Sequence, residues 1–122
     1  MSEQMLFRNV MGITPGSLDP FRKAVKEAIE FVERNAPQLM VRTYIDERQM
    51  RAVSFQLYRN SQDVLRHWEL SDPYIRNVGG NCTVESFEVY GEPSEEVLAG
   101  LVRVFPDGRL CVMGPLAGFS RF

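Results

Sequence analysis

Histidine and tryptophan each occur once in this 122-residue chain, and cysteine only twice. One imidazole cannot build a multi-histidine metal centre. Cys82 and Cys111 have no second Cys or His at ligand spacing, so no metal site is expected. Both cysteines sit in strand-like contexts and read as packed thiols. A basic surplus is also missing: 14 Lys and Arg against 16 Asp and Glu argue against a nucleic-acid or anionic-membrane partner. Apolar runs extend only a few residues, so no transmembrane helix is expected. The start, MSEQMLFRN, lacks a basic stretch and an apolar signal core, and the expected location is cytoplasmic. What remains is the composition of one soluble domain, long enough to bury a single core.

The chain alternates strand and helix signals. Met5 to Ile13 alternates as a first strand, with Phe7, Asn9 and Met11 on one face and Leu6, Arg8 and Val10 on the other. An Asn among apolar neighbours needs a partner, either nearby backbone or a ligand, because an unpaired buried amide costs about 1–3 kcal/mol. Asp19-Pro20 opens a helix whose apolar stripe is Leu18, Phe21, Val25, Ala28, Ile29 and Val32, and Asn35-Ala36-Pro37 ends it. Gln38 to Asp46 and Met50 to Tyr58 form a β-hairpin, with Val53, Phe55 and Leu57 facing away from Ala52, Ser54, Gln56 and Tyr58.

The most distinctive stretch is NSQDVLRHWELSDPYIRNVGG, residues 60–80, which holds the sole His67 beside the sole Trp68. Asn60 or Ser61 caps a helix with Val64, Leu65 and Trp68 inward, Pro73 predicts a kink or short break, and Gly79-Gly80 stops it. His67 is turned about 100° from Trp68 and is expected on the helix flank. Cys82 to Tyr90 is a fourth strand, and Ser94 begins a short helix with Val97, Leu98 and Leu101 on one side. Val102–Phe105 and Leu110–Met113, around Pro106-Asp107-Gly108, predict a second small hairpin. The last nine residues, GPLAGFSRF, are apolar for a chain end and are expected to dock, on their own core or across a dimer.

The order β-α-β-β-α-β is the ferredoxin-like α+β pattern, here residues 1–101, with 102–122 as a C-terminal extension. Two helices cover one sheet face. Phe7 or Leu6, Phe55, Phe87 and Val89 cannot all lie beneath them, so a second copy is expected over the other face, a homodimer through sheet faces.

With strand order, the Ser71-Asp72-Pro73-Tyr74 segment and Tyr90-Gly91-Glu92-Pro93-Ser94 in place, residues 5–101 resemble the dimeric α/β-barrel superfamily, antibiotic-biosynthesis-monooxygenase type. The resemblance implies a homodimer with a cavity between sheet and helices in each subunit. Active members include cofactor-independent oxygenases of aromatic substrates and a heme-degrading branch with a first-strand Asn, a helix Trp and a later His. Asn9 and Trp68 match the first two. Val78 stands where that branch has its His, so heme ligation is disfavoured and no cofactor is expected.

Three readings follow. In an oxygenase, Asn9, Trp68 and His67 are the catalytic candidates. In a binding module for a small apolar or aromatic molecule, Tyr44, Phe55, Tyr58 and Tyr74 are the ligand-binding candidates. In a structural protein, Trp68 is core and the cavity is filled by the chain's own side chains.

Overall fold

The computed structural model describes residues 3–122. Its elements are β1 (Met5–Ile13), α1 (Leu18–Asn35), β2 (Met40–Asp46), β3 (Arg51–Tyr58), α2 (Ser61–Gly79), β4 (Cys82–Tyr90), α3 (Glu95–Val104) and β5 (Leu110–Met113). The strands form one sheet in the order β2-β3-β1-β4-β5, antiparallel except for the β4–β5 pair. The ferredoxin-like α+β arrangement is therefore present, with a fifth strand at its edge.

Local chemistry sets the helix starts. Asn60 caps α2 by accepting from the Asp63 N–H at 2.9 Å, and Ser94 caps α3 by accepting from Val97 N–H at 3.2 Å. Helix α1 begins two residues earlier than Asp19-Pro20 predicts, with Ser17 at its N-cap and no side-chain cap bond. Pro20 still falls in the first turn, where its missing N–H costs nothing. Helix α2 runs unbroken through Pro73, so of the expected kink or short break the break does not occur. Pro73 and Glu69, whose carbonyl loses its donor, both lie on the exposed side of the helix.

The second hairpin is absent. Val102–Val104 complete α3, because Leu98, Leu101 and Phe105 follow helical spacing and the Phe105 N–H bonds the Leu101 carbonyl at 2.8 Å. With α3 as the crossover, Leu110–Met113 add to β4 in parallel. The boundary expected near residue 101 thus falls inside a helix.

All three helices pack on one sheet face, around two apolar clusters. Met5, Phe7, Tyr58, Val64, Val89, Val97 and Leu101 form one, and Met11, Ile13, Phe21 and Ala52 form the other. Of Phe7 or Leu6, Phe55, Phe87 and Val89, which are not all expected beneath the helices, Phe7, Phe87 and Val89 are on this covered side: Phe7 meets Phe87 edge-on at 5.5 Å. The uncovered face instead carries Leu6, Val10, Val53, Phe55 and Leu57 with Tyr44, interrupted by the Arg8–Glu88 and Arg51–Glu85 ion pairs.

Candidate functional site

Asn9 lies on β1 between Phe7 of the first cluster and Met11 of the second, and the space between those clusters is not filled. It is a cavity of about 580 Å³, walled by Val25, Ala28, Ile29 and Val32 of α1 and floored by β1–β4. His67, Trp68, Ser71 and Tyr74 of α2 overhang it, and Leu101 and Phe105 close one side. The size matches a small-molecule site.

The phase of α2 differs from the one its apolar residues suggest. Val64, His67, Ser71 and Val78 turn toward the sheet at three-, four- and seven-residue spacing, so His67 is not on the helix flank: it is only 6% exposed and Ser71 is 0% exposed. Trp68 leans sideways onto α3. A Cβ at Gly100 would lie 2.6 Å from the Trp68 Cζ3, so only a glycine there admits the indole. Since α3 covers that flank, Trp68 need not define the centre of the buried stripe.

Polarity is concentrated in the cavity. Among the described residues, the buried side-chain N and O atoms without a partner in the protein are Asn9 Oδ1, Gln38 Oε1, His67 Nδ1 and Ser71 Oγ. All four residues line this one cavity. Leaving such atoms unpaired costs about 1–3 kcal/mol each, and native interiors rarely tolerate several together. Burial lowers the His67 pKa to about 4, so its imidazole is neutral at physiological pH and one ring nitrogen accepts. The charged lining residues, Asp72 and Arg103, are both at exposed positions.

The remaining candidates divide. Tyr74 borders the cavity and stacks on Phe31 at 4.4 Å, joining α2 to α1. Tyr58 is core, tilted against Phe7 at 4.9 Å, and its hydroxyl donates to Gln56 Oε1 at 2.6 Å. Burial pushes that phenol well above the usual tyrosine range, and a side-chain bond with Gln38 opposes this only in part. Gln38 also donates to Gln56 Oε1, at 3.1 Å, so Tyr58 acts on the cavity wall through these amides. Tyr44 and Phe55 do not reach the site. They form an edge-on pair at 6.2 Å on the uncovered sheet face, because β2 and β3 put odd and even residues on opposite sides. Sequence reasoning missed Gln38 and Ser71. The helical spacing of Ser71 from His67 was the available signal.

No family model and no curated protein matches the sequence. Solved structures do. MupZ from Pseudomonas fluorescens superposes with a TM-score of 0.76 at 15% identity, over 98% of this chain and 95% of that one. SnoaB, a cofactor-independent oxygenase from Streptomyces nogalater, gives 0.64 at 11% identity, over 76% of this chain and 96% of that one. A candidate antibiotic biosynthesis monooxygenase from Bacteroides thetaiotaomicron gives 0.58 at 21% identity, over 71% and 85%. The chain shares the ferredoxin-like α+β fold of these structures. Heme, raised by the resemblance read from the sequence, does not suit this cavity. Val78 has no lone pair for iron, and Arg103 is the only cationic lining residue for the propionates. Among the described residues no group of three or more His, Cys, Asp or Glu could hold a metal, and no helix is long and apolar enough to cross a membrane.

Proposed function

We propose that this protein is a homodimeric, cofactor-independent oxygenase acting on an uncharged aromatic or apolar molecule that carries hydrogen-bond donors. One observation carries the reading: four unpartnered buried polar atoms converge on a single, otherwise apolar cavity. Asn9 Oδ1 and Gln38 Oε1 are acceptors, and neutral His67 presents an acceptor nitrogen. The ligand that completes these groups supplies O–H or N–H donors and little charge, since no buried ion faces it.

In such a reaction the substrate is itself the reductant. A doubly activated CH₂ loses a proton, the carbanion reacts with O₂, one oxygen atom stays as a carbonyl, and the other leaves with the two hydrogens as water. The protein supplies shape and exclusion of water. With its basicity lowered by burial, His67 is better suited to orient a donor than to hold the proton. That weak basicity favours one alternative, a binding module that holds the same molecule without turning it over.

Oxygen uptake by the purified protein tests the proposal, using polycyclic phenols with an activated CH₂. Uptake matched one-to-one by product and reduced by Asn9→Leu supports the oxygenase. Tight binding without uptake above the protein-free rate leaves the binding module. Neither binding nor uptake across the panel defeats both.

A further inference from the structure

Tyr58 does not line the cavity, yet its hydroxyl is tied to two residues that do. Tyr58 and Gln56 lie two apart on β3 and so share the covered face. Gln38, two residues before β2, reaches the same spot because the Leu39 N–H bonds the Leu57 carbonyl at 2.9 Å. Gln56 Oε1 accepts twice, from the Tyr58 hydroxyl at 2.6 Å and from Gln38 Nε2 at 3.1 Å. The two ends of an amide are nearly equal in size, but the oxygen only accepts and the nitrogen only donates. The direction in which each glutamine points therefore decides what a ligand meets at this wall.

We propose that Tyr58 is a positioning residue that sets the hydrogen-bonding polarity of the wall, fixing Gln56 and through it Gln38 so that Gln38 presents an acceptor to the ligand. This role rests on the donor-bearing ligand proposed above. Tyr58 is 1% exposed, so its phenol proton has no access to bulk water, and Gln56 Oε1 is the acceptor it meets. Burial holds the phenol far above the ordinary tyrosine range, and the hydroxyl remains a donor at any working pH. Reversing Gln56 would set its NH₂ against both the phenol proton and the Gln38 nitrogen, stranding a buried donor on each side. With Gln56 fixed, Gln38 commits its nitrogen to Gln56 and leaves its own Oε1 buried and unpartnered. The Tyr58 ring packs on Phe7 at 4.9 Å and lies 6.1 Å from His67. Tyr58→Phe keeps both ring contacts and removes only the hydroxyl that orders the amides. Gln56 and Gln38 can then reverse together, still bonded to each other, and the wall offers the Gln38 NH₂ in place of its oxygen.

Isothermal titration calorimetry of a polycyclic diphenol and its two monomethyl ethers tests this in wild type, Tyr58→Phe, Gln38→Met and the double variant. Blocking the hydroxyl that Gln38 reads is expected to weaken wild-type binding at least about tenfold, and less than about threefold in either single variant. In the double variant Tyr58→Phe should add no more than about twofold to the effect of Gln38→Met, because the phenol acts through that amide; a general effect on stability would add in full. Gln56→Met breaks the same line without touching the Tyr58 ring and should match Tyr58→Phe, so it carries the test should Tyr58→Phe not fold. Discrimination that survives in either single variant, or additive effects in the double variant, overturns the positioning role and leaves the donor-reading cavity standing. A wild type that binds the diphenol and both ethers equally, or binds none of them, overturns that cavity and the role of Tyr58 together.

Discussion

His67 gives the sharpest test of the site's construction. The imidazole is buried against the cavity, 6% exposed, and its pKa falls from 6.5 to about 4 because burial penalises the charged form. Between those two values the unfolded chain binds a proton that the folded chain refuses, so stability falls as pH drops through this window and levels off below it. The difference of about 2.5 units corresponds to about 3 kcal/mol by pH 4, a large share of a small domain's total stability. Carboxylates titrate in the same range, so the comparison is with His67→Gln, which keeps a polar group of similar reach and removes the proton. Urea unfolding followed by circular dichroism, at half-unit steps from pH 7.5 to 4, should show the wild type losing about 3 kcal/mol more than the variant. Two parallel curves would refute the buried, neutral imidazole and return His67 to the helix flank.

Three further outcomes follow from individual contacts. Ser71→Ala removes a fully buried hydroxyl with no partner in the protein, and should stabilise the ligand-free protein by about 1 kcal/mol in urea unfolding; destabilisation of that size would mean the hydroxyl is satisfied within the fold. Gly100→Ala places a methyl 2.6 Å from the Trp68 ring, and overpacking of about 1–3 kcal/mol should outweigh the roughly 1 kcal/mol gain in helix propensity. A lower melting temperature with a shifted Trp68 emission is expected, whereas a more stable protein with unchanged emission would contradict the indole's placement. Phe55→Glu puts a charge on the uncovered sheet face, away from the cavity, and should give a folded monomer by light scattering; an intact dimer would argue against the sheet-face interface.

Much of the fold was legible because the signals were local. Alternation along β1 and β3 separates their two faces correctly, and Asn60, Ser94 and Gly80 sit where the helix ends require them. Alternation does not say which face receives the helices, and that is why Tyr44 and Phe55 were assigned to a cavity on the other side of the sheet. Likewise, Val102–Phe105 alternates like a strand over four residues, but Leu98, Leu101 and Phe105 continue the helical stripe, and three-dimensional packing chose the longer pattern. The site was half legible. Asn9 and Trp68 drew notice as an amide in a strand and a sole indole. His67 and Ser71 were obscured because the phase of α2 is set by α3, which takes Trp68 against Gly100 and turns the polar pair inward.

The most direct measurement is a fluorescence titration of Trp68, the only tryptophan and a lining residue of the cavity. A polycyclic phenol and its deoxy parent would each be titrated into wild type and Ser71→Ala. A cavity that recognises donors predicts saturable quenching by the phenol, binding at least about tenfold weaker for the deoxy parent, and a smaller difference between the two ligands in Ser71→Ala. Equal affinities for phenol and parent in both proteins, or no saturable change at all, would contradict a donor-reading cavity.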